Sequence, residues 1–206
     1  MPGPERGVTA PTTESTVTGE SWEGRDISDT QFTRVAFVDL DMSEVTNTGA
    51  VFTECTFRHS RFNASRHTDG AFVNCTFGGC KFFDARFVDC KLVGSVFDRC
   101  TFDTLHVVGG NWSHVGLAGA DLRSATFSGL RMREADLTGA RCEGASMRDV
   151  DFGGAWLERA NFTDCDLRGS DLSAFDPGSM QLRGAIITYN QAIVIAGAMG
   201  LDVQAE

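Results

Sequence analysis

The chain has 206 residues, 42% of them apolar and 22% charged, and 28 acids against 18 bases give a net charge of -10. That size and apolar fraction support one sizeable core and exclude a disordered acidic tail, while the acidic balance argues against a nucleic-acid binder, whose hold on phosphates needs clustered Lys and Arg. Sixteen Phe against one Tyr, with 23 Gly and 7 Cys, point to one stereotyped slot that the sequence fills again and again.

Residues 1–20, MPGPERGVTAPTTESTVTGE, lack the apolar stretch of a secretory signal and read as a flexible N-terminal leader. From Trp22 to Ile187 the chain repeats every five residues. Every position whose number leaves remainder two on division by five belongs to one column, 34 repeats long, in which 30 residues are large and apolar and which holds 14 of the 16 Phe. Phe52, Phe57, Phe62, Phe72, Phe77, Phe82, Phe87, Phe97, Leu122 and Leu137 are therefore expected in the core. Two places before the large residue stands one that is usually small, as in Ala50, Cys55, Ser65, Gly70, Cys75 and Ala135. A helix would scatter a five-residue period over all its faces, and a simple strand would show a period of two. The pattern instead requires a backbone that points a small and a large residue inward and the other three outward, once per repeat.

Six cysteines, Cys55, Cys75, Cys80, Cys90, Cys100 and Cys165, fall in the small inward column and Cys142 in the large one, which makes them core fillers. No closely paired Cys or His ligands suggest a metal, no convergent acid and base groups suggest catalysis, and nothing points to a cofactor. Cys55 and Cys75, or Cys80 and Cys100, stand twenty residues apart; strand spacing holds such pairs a little too far apart for a disulfide, so reduced thiols are expected. Asn47 and His67, also twenty apart, are polar exceptions in the large column and are expected to satisfy each other. Toward the end, Asp176-Pro177-Gly178 puts a proline in the large column, and residues 189–200 change to a helix-like apolar run ended by glycine. This run is too short and too interrupted to span a membrane. The expected division is a leader at 1–20, a repeat region at 21–187 and a C-terminal capping and dimerisation helix with its tail at 188–206.

Segments such as Ala120-Asp121-Leu122-Arg123-Ser124, Ala135-Asp136-Leu137-Thr138-Gly139 and Ala160-Asn161-Phe162-Thr163-Asp164 resemble the A-(D/N)-L-x-x signature of pentapeptide-repeat proteins. The resemblance implies an all-β solenoid, a right-handed quadrilateral β-helix with four repeats per coil. At the ~4.8 Å spacing of paired strands, the 34 repeats would form a rod about 40 Å long. Cys75-Thr76-Phe77, Gly94-Ser95-Val96-Phe97, the Asp176-Pro177 break and the run from Gln191 to Leu201 are similar to the mycobacterial and Qnr-like fluoroquinolone-resistance members of that family. What this implies is a cytoplasmic, non-enzymatic homodimer, joined at its C-terminal ends, that mimics duplex DNA and binds DNA gyrase. Such a protein would inhibit gyrase or confer resistance to quinolones or to a gyrase-directed toxin. The unbroken register leaves no projecting loops of the kind many Qnr proteins use in protection, which favours inhibition.

Charge is unevenly distributed, with totals of -6, +2, -1 and -5 for residues 1–50, 51–100, 101–150 and 151–206. Arg61, Arg66, Lys81 and Arg86 make the middle coils weakly basic. The expected gyrase-binding surface is Glu143, Asp149, Asp151, Glu158, Asp164 and Asp166, and the expected dimer interface is Ile193, Ile195, Ala196 and Met199. Since Asp is a common outward residue of such repeats, a scaffolding solenoid without a topoisomerase role is the alternative; a third reading, immunity of a toxin producer, uses the same gyrase contact.

Overall fold

The computed structural model describes residues 10–204, so the first nine residues of the expected leader and the last two of the tail lie outside the described residues. In chain order the strands are β1 (Ser15–Thr18), β2 (Gln31–Thr33), β3 (Val35–Val38), β4 (Thr46–Thr48), β5 (Val51–Thr53), β6 (Thr56–Arg58) and β7 (Arg66–Thr68). They continue with β8 (Ala71–Val73), β9 (Thr76–Gly78), β10 (Arg86–Val88), β11 (Val96–Asp98), β12 (His106–Val108), β13 (Thr126–Ser128) and β14 (Ser146–Arg148), before one helix, α1 (Tyr189–Ala198).

Pairing is parallel throughout and joins residues twenty apart, from Ser15 with Val35 at one end to Asp166 with Ile186 at the other. Twenty residues are four repeats, so each coil has four five-residue sides and the molecule is a parallel β-solenoid. Three sides carry sheets, in the orders β1-β3-β6-β9-β11, β4-β7-β10-β12-β13-β14 and β2-β5-β8. The remaining side, formed by 21–24, 41–44, 61–64 and their successors, is built of turns linked only by isolated bridges. Along the rod the backbone bonds run both ways. Trp22 N–H donates to the Asp41 carbonyl above at 2.7 Å, and Asp41 N–H donates to the Glu20 carbonyl below at 3.0 Å.

The first coil reaches back further than the sequence suggested. Glu14 N–H donates to the Arg34 carbonyl at 2.7 Å, and β1 pairs with β3. Residues 14–20, expected in the flexible leader, are thus part of the solenoid; Val17 in the large column and Gly19 at the corner already obey the period.

Corners explain the glycines. The residue whose number leaves remainder four turns the chain, and from Asp29 at φ 57° to Asp164 at φ 56° all but Ser124 adopt a left-handed conformation. Glycine reaches that region without cost, Asp and Asn reach it more readily than other residues, and 13 of the 23 Gly occupy this column. In places a glycine stands one coil above an acid. A Cβ on Gly109, Gly169 or Gly184 would collide with the carboxylate of Asp89, Asp149 or Asp164 one coil below.

Inside, the large column forms ladders. Phe57 stacks on Phe77 at 4.9 Å and 5°, Phe52 on Phe72 at 4.8 Å and 3°, and Phe77 on Phe97 at 4.7 Å and 7°, while rings on neighbouring sides meet edge to face, as Phe52 and Phe57 do at 5.5 Å and 63°. Offset stacking and edge contacts are the favoured geometries of aromatic pairs. The expected core residues from Phe52 to Leu137 are all buried. Where Pro177 interrupts the column, Phe175, two positions earlier in the small inward column, fills the core with its ring. It lies 5.5 Å from Phe152 and 5.1 Å from Phe162, and the adjacent bond shifts by one residue, Arg159 N–H donating to the Ser179 carbonyl at 2.7 Å.

Small-column hydroxyls and thiols have a second task. On sides with strands, the N–H of the small residue lacks the local turn bond made on the other sides, and a serine one coil above accepts it. Cys75 N–H donates to Ser95 Oγ at 2.9 Å and Val150 N–H to Ser170 Oγ at 2.9 Å. Each serine then donates to a carbonyl of the coil below, Ser95 to Phe72 at 2.7 Å and Ser170 to Met147 at 2.8 Å. Cysteines make the same contact more weakly, as Cys90 Sγ to the His67 carbonyl at 3.4 Å. All seven carry free thiols, and burial pushes Cys90 up to about 11 and Cys165 up to about 12.

Candidate interaction surfaces

Helix α1 closes the C-terminal end of the rod. Thr188 and Gln191 form its capping box: Thr188 N–H donates to Gln191 Oε1 at 2.7 Å, and Gln191 N–H returns to Thr188 Oγ1 at 3.4 Å. Gln191 is the buried residue of the helix. Its Nε2 donates to the carbonyls of Leu167 and Ser170, each at 2.7 Å; the Leu167 carbonyl also accepts from Ser170 N–H at 3.1 Å, so the Ser170 carbonyl is the acceptor that depends on the glutamine. Of the expected interface residues, Ile195 packs against the core cluster and Ala196 is half-buried with it, whereas Ile193 and Met199 face solvent at 39% and 63% exposure. Ile186, Val194 and Leu201 add to the exposed apolar surface at this end. The helix thus divides as its composition requires, one edge covering the rod and the rest unpartnered.

The six expected acids do not form one uniform surface. Asp166 is held by Arg168 through two bonds, at 2.9 and 2.7 Å, and by Arg148 at 3.9 Å; the hydrogen bond from Arg168 holds its carboxyl below the usual range. Asp151 pairs with Arg133 at 3.3 Å, and Glu143 accepts from Asn161 at 2.9 Å with Arg141 at 3.8 Å. Asp149, Glu158 and Asp164 form no ion pair among the described residues. Asp149 and Asp164 stand on the two corners that flank the β4-to-β14 side. The accessible negative charge is therefore half of what the sequence suggested.

No curated protein matches the chain. The family model for pentapeptide repeats matches in eight copies over residues 117–154 and 145–174. Over those residues the chain matches the pentapeptide-repeat family, and the same four-sided coil continues through the rest of the rod. Among solved structures, the chain is similar to a trypsin-treated variant of QnrB1, a plasmid-mediated fluoroquinolone resistance protein. The likeness has a TM-score of 0.83 at 21% identity and covers 94% of this chain and 99% of that one. Full-length QnrB1 gives a TM-score of 0.66 at 19% identity, covering 92% and 99%. Likeness at this identity establishes the shared solenoid.

Within the rod the expected Asn47 and His67 pair is buried and extends into a chain of four bonds. Ala50 N–H donates to Asn47 Oδ1 at 2.8 Å, Asn47 Nδ2 to His67 Nδ1 at 3.0 Å, His67 Nε2 to Ser65 Oγ at 3.0 Å, and Ser65 Oγ to the Phe62 carbonyl at 2.7 Å. That direction of donation assigns the proton of a neutral ring to Nε2. The ring meanwhile stacks on Phe87 at 4.8 Å and 15°, so it keeps its place in the aromatic ladder. Gly70 gives Asn47 room, since a Cβ there would sit 3.0 Å from Nδ2. No side of the cluster opens to solvent, which leaves it structural. Among the described residues no group of three or more His, Cys, Asp or Glu can hold a metal, and no helix is long and apolar enough to cross a membrane.

Proposed function

We propose that this rod binds DNA gyrase in the place of duplex DNA, as a dimer joined through its α1 ends. In this reading it inhibits the enzyme, or confers resistance to quinolones or to a gyrase-directed toxin. The observation that carries the reading is the form of the molecule: a solenoid without projecting loops from Ser15 to Ile186, its register shifted only locally at Pro177, that ends in a helix exposing Ile193 and Val194. Likeness over nearly the whole chain to QnrB1, a fluoroquinolone resistance protein, supports the same reading. A two-fold pairing of α1 covers Ile193, Val194 and Met199 and brings two acidic C-terminal segments together at the middle of a doubled rod. The reading is one of binding, not catalysis, and places the protein in the cytoplasm beside its target.

Duplex DNA carries one charge per about 1.7 Å, far more than this rod, so shape and dimer length do most of the imitation and the unpaired acids fix the register. Asp149, Glu158 and Asp164 are the residues that meet basic groups of the partner; Glu143, Asp151 and Asp166 are already engaged by Arg or Asn of the rod itself. One observation favours the scaffolding alternative. Asp149 and Asp164 sit at φ 55° and 56°, where Asp is chosen for conformation alone. A supercoiling assay with purified gyrase separates the two readings: inhibition at micromolar protein supports the gyrase reading, and undiminished supercoiling at that concentration leaves the scaffold.

A further inference from the structure

Two like-charged pairs meet at one corner of the middle coils. Arg61 and Lys81 face each other across a parallel bridge on the turn-built side, and Arg66 and Arg86 are register partners in β7 and β10 on the next side. Like charges directly opposite one another on neighbouring strands destabilise a sheet. Acids relieve the arrangement only at its margins, Asp41 binding Arg61 at 2.6 Å and Asp84 lying 3.5 Å from Arg86; Lys81 and Arg66 form no ion pair among the described residues. Beside Lys81 stands Phe83, exposed at 56%. Its column is otherwise polar: Glu23, Ser43, Asn63, Asp103, Arg123, Glu143, Thr163 and Arg183 occupy the equivalent positions in the other coils. The core gains nothing from an outward Phe, and the sheets gain nothing from stacked cations.

We propose that this corner, Arg61, Arg66, Lys81, Phe83 and Arg86, docks an acidic segment of a partner protein that carries an apolar side chain among its carboxylates. Carboxylates from the partner remove the repulsion within both ladders, and the apolar side chain covers Phe83. Charge complementarity selects a protein segment over a nucleic acid. Four cations on a body of net charge -10, bordered by Asp41 and Asp84, cannot track a strand of phosphates, but they suit a few carboxylates in one place. This surface lies several coils from α1 and from Asp149, Glu158 and Asp164, so it is independent of the gyrase reading.

Fluorescence anisotropy of a labelled octapeptide, Glu-Glu-Trp-Glu-Glu-Leu-Glu-Glu, tests the assignment on the full chain at low salt. Saturable binding is expected, weakened about tenfold by Arg66→Glu with Lys81→Glu and about fivefold by Phe83→Ser. A peptide with serine at both apolar positions should bind as weakly to the parent as the original peptide binds to Phe83→Ser. The charge reversals create opposite pairs across the ladders, so thermal melting should show no loss of stability and exclude misfolding as the cause. Absence of binding at millimolar peptide, binding indifferent to Phe83→Ser, or tighter binding of an eight-residue oligothymidylate would overturn the proposal.

Discussion

Protonating His67 should cost this rod much of its stability in a pH range where the surface carboxylates are still charged. The ring is completely buried; Nδ1 already accepts from Asn47 Nδ2, and Nε2 donates to Ser65 Oγ. A second ring proton would therefore face the Asn47 amide hydrogens in a site closed to solvent. Burial lowers the pKa from the ordinary 6.5 to about 3. Because the folded value lies below the unfolded one, the contribution to stability is fully present above pH 6.5 and is lost as the pH falls toward 3. Two pH units of that window lie above the carboxylate range, and at about 1.4 kcal/mol per unit they amount to a loss of about 3 kcal/mol between pH 6.5 and 4.5. Urea unfolding followed by circular dichroism at intervals of half a unit measures it. The comparison is Asn47→Leu with His67→Phe, which removes both polar partners and completes the stack on Phe87. That double variant leaves the Ala50 N–H without its acceptor and should cost about 1–3 kcal/mol at pH 7.5, but its stability should be nearly flat from there down to pH 4.5. Each single substitution strands the other partner and should cost about 1–3 kcal/mol at pH 7.5. Parallel slopes for the parent and the double variant would refute the reasoning, because the titrating group would then lie elsewhere.

Other expectations follow from single contacts. Phe175→Ala empties the position that replaces the missing large residue at Pro177 and should cost about 3–5 kcal/mol in chemical denaturation. Gly169→Ala meets both a left-handed backbone and the Asp149 carboxylate; its cost should exceed that of the same change made together with Asp149→Ala, which leaves a backbone penalty of about 1–2 kcal/mol. Gln191→Ala strands the Ser170 carbonyl and loses the capping box, and should lower stability by about 2–3 kcal/mol while fraying α1. Sedimentation at low micromolar concentration should show a dimer that Ile193→Asp with Val194→Asp converts to a folded monomer; a monomeric parent would remove the α1 interface.

Much of this fold is legible in the chain because the period is rigid. Once one inward slot per five residues is recognised, Phe57, Phe77 and Phe97 must stack, and Asn47 must meet His67. The corner column was missed because it is defined by backbone conformation rather than by chemistry: Gly, Asp, Asn and even Arg34 and Thr104 occupy it, and only the shared φ unites them. Phe175 was hidden for the opposite reason, a large residue in the small inward column whose ring takes up the space that Pro177 leaves. The Thr188 and Gln191 spacing was a readable capping signal. What sequence spacing does not give is how side chains leaning across a corner or a coil neutralise one another. Glu143, Asp151 and Asp166 looked as available as Asp149, Glu158 and Asp164, and only the placement of Arg133, Arg141, Asn161 and Arg168 divides them.

The central claim, that the rod takes the place of DNA on gyrase, is tested most directly by competition. Purified gyrase is loaded with a fluorescent duplex and titrated with the protein at physiological salt while anisotropy is followed. The duplex should be displaced at micromolar protein, and Asp149→Lys, Glu158→Lys and Asp164→Lys together, verified as folded dimers, should raise the required concentration at least about tenfold, the effect of three lost charge contacts. Binding to gyrase without displacement of the duplex, or displacement that survives the triple reversal unchanged, would contradict the DNA-mimic account.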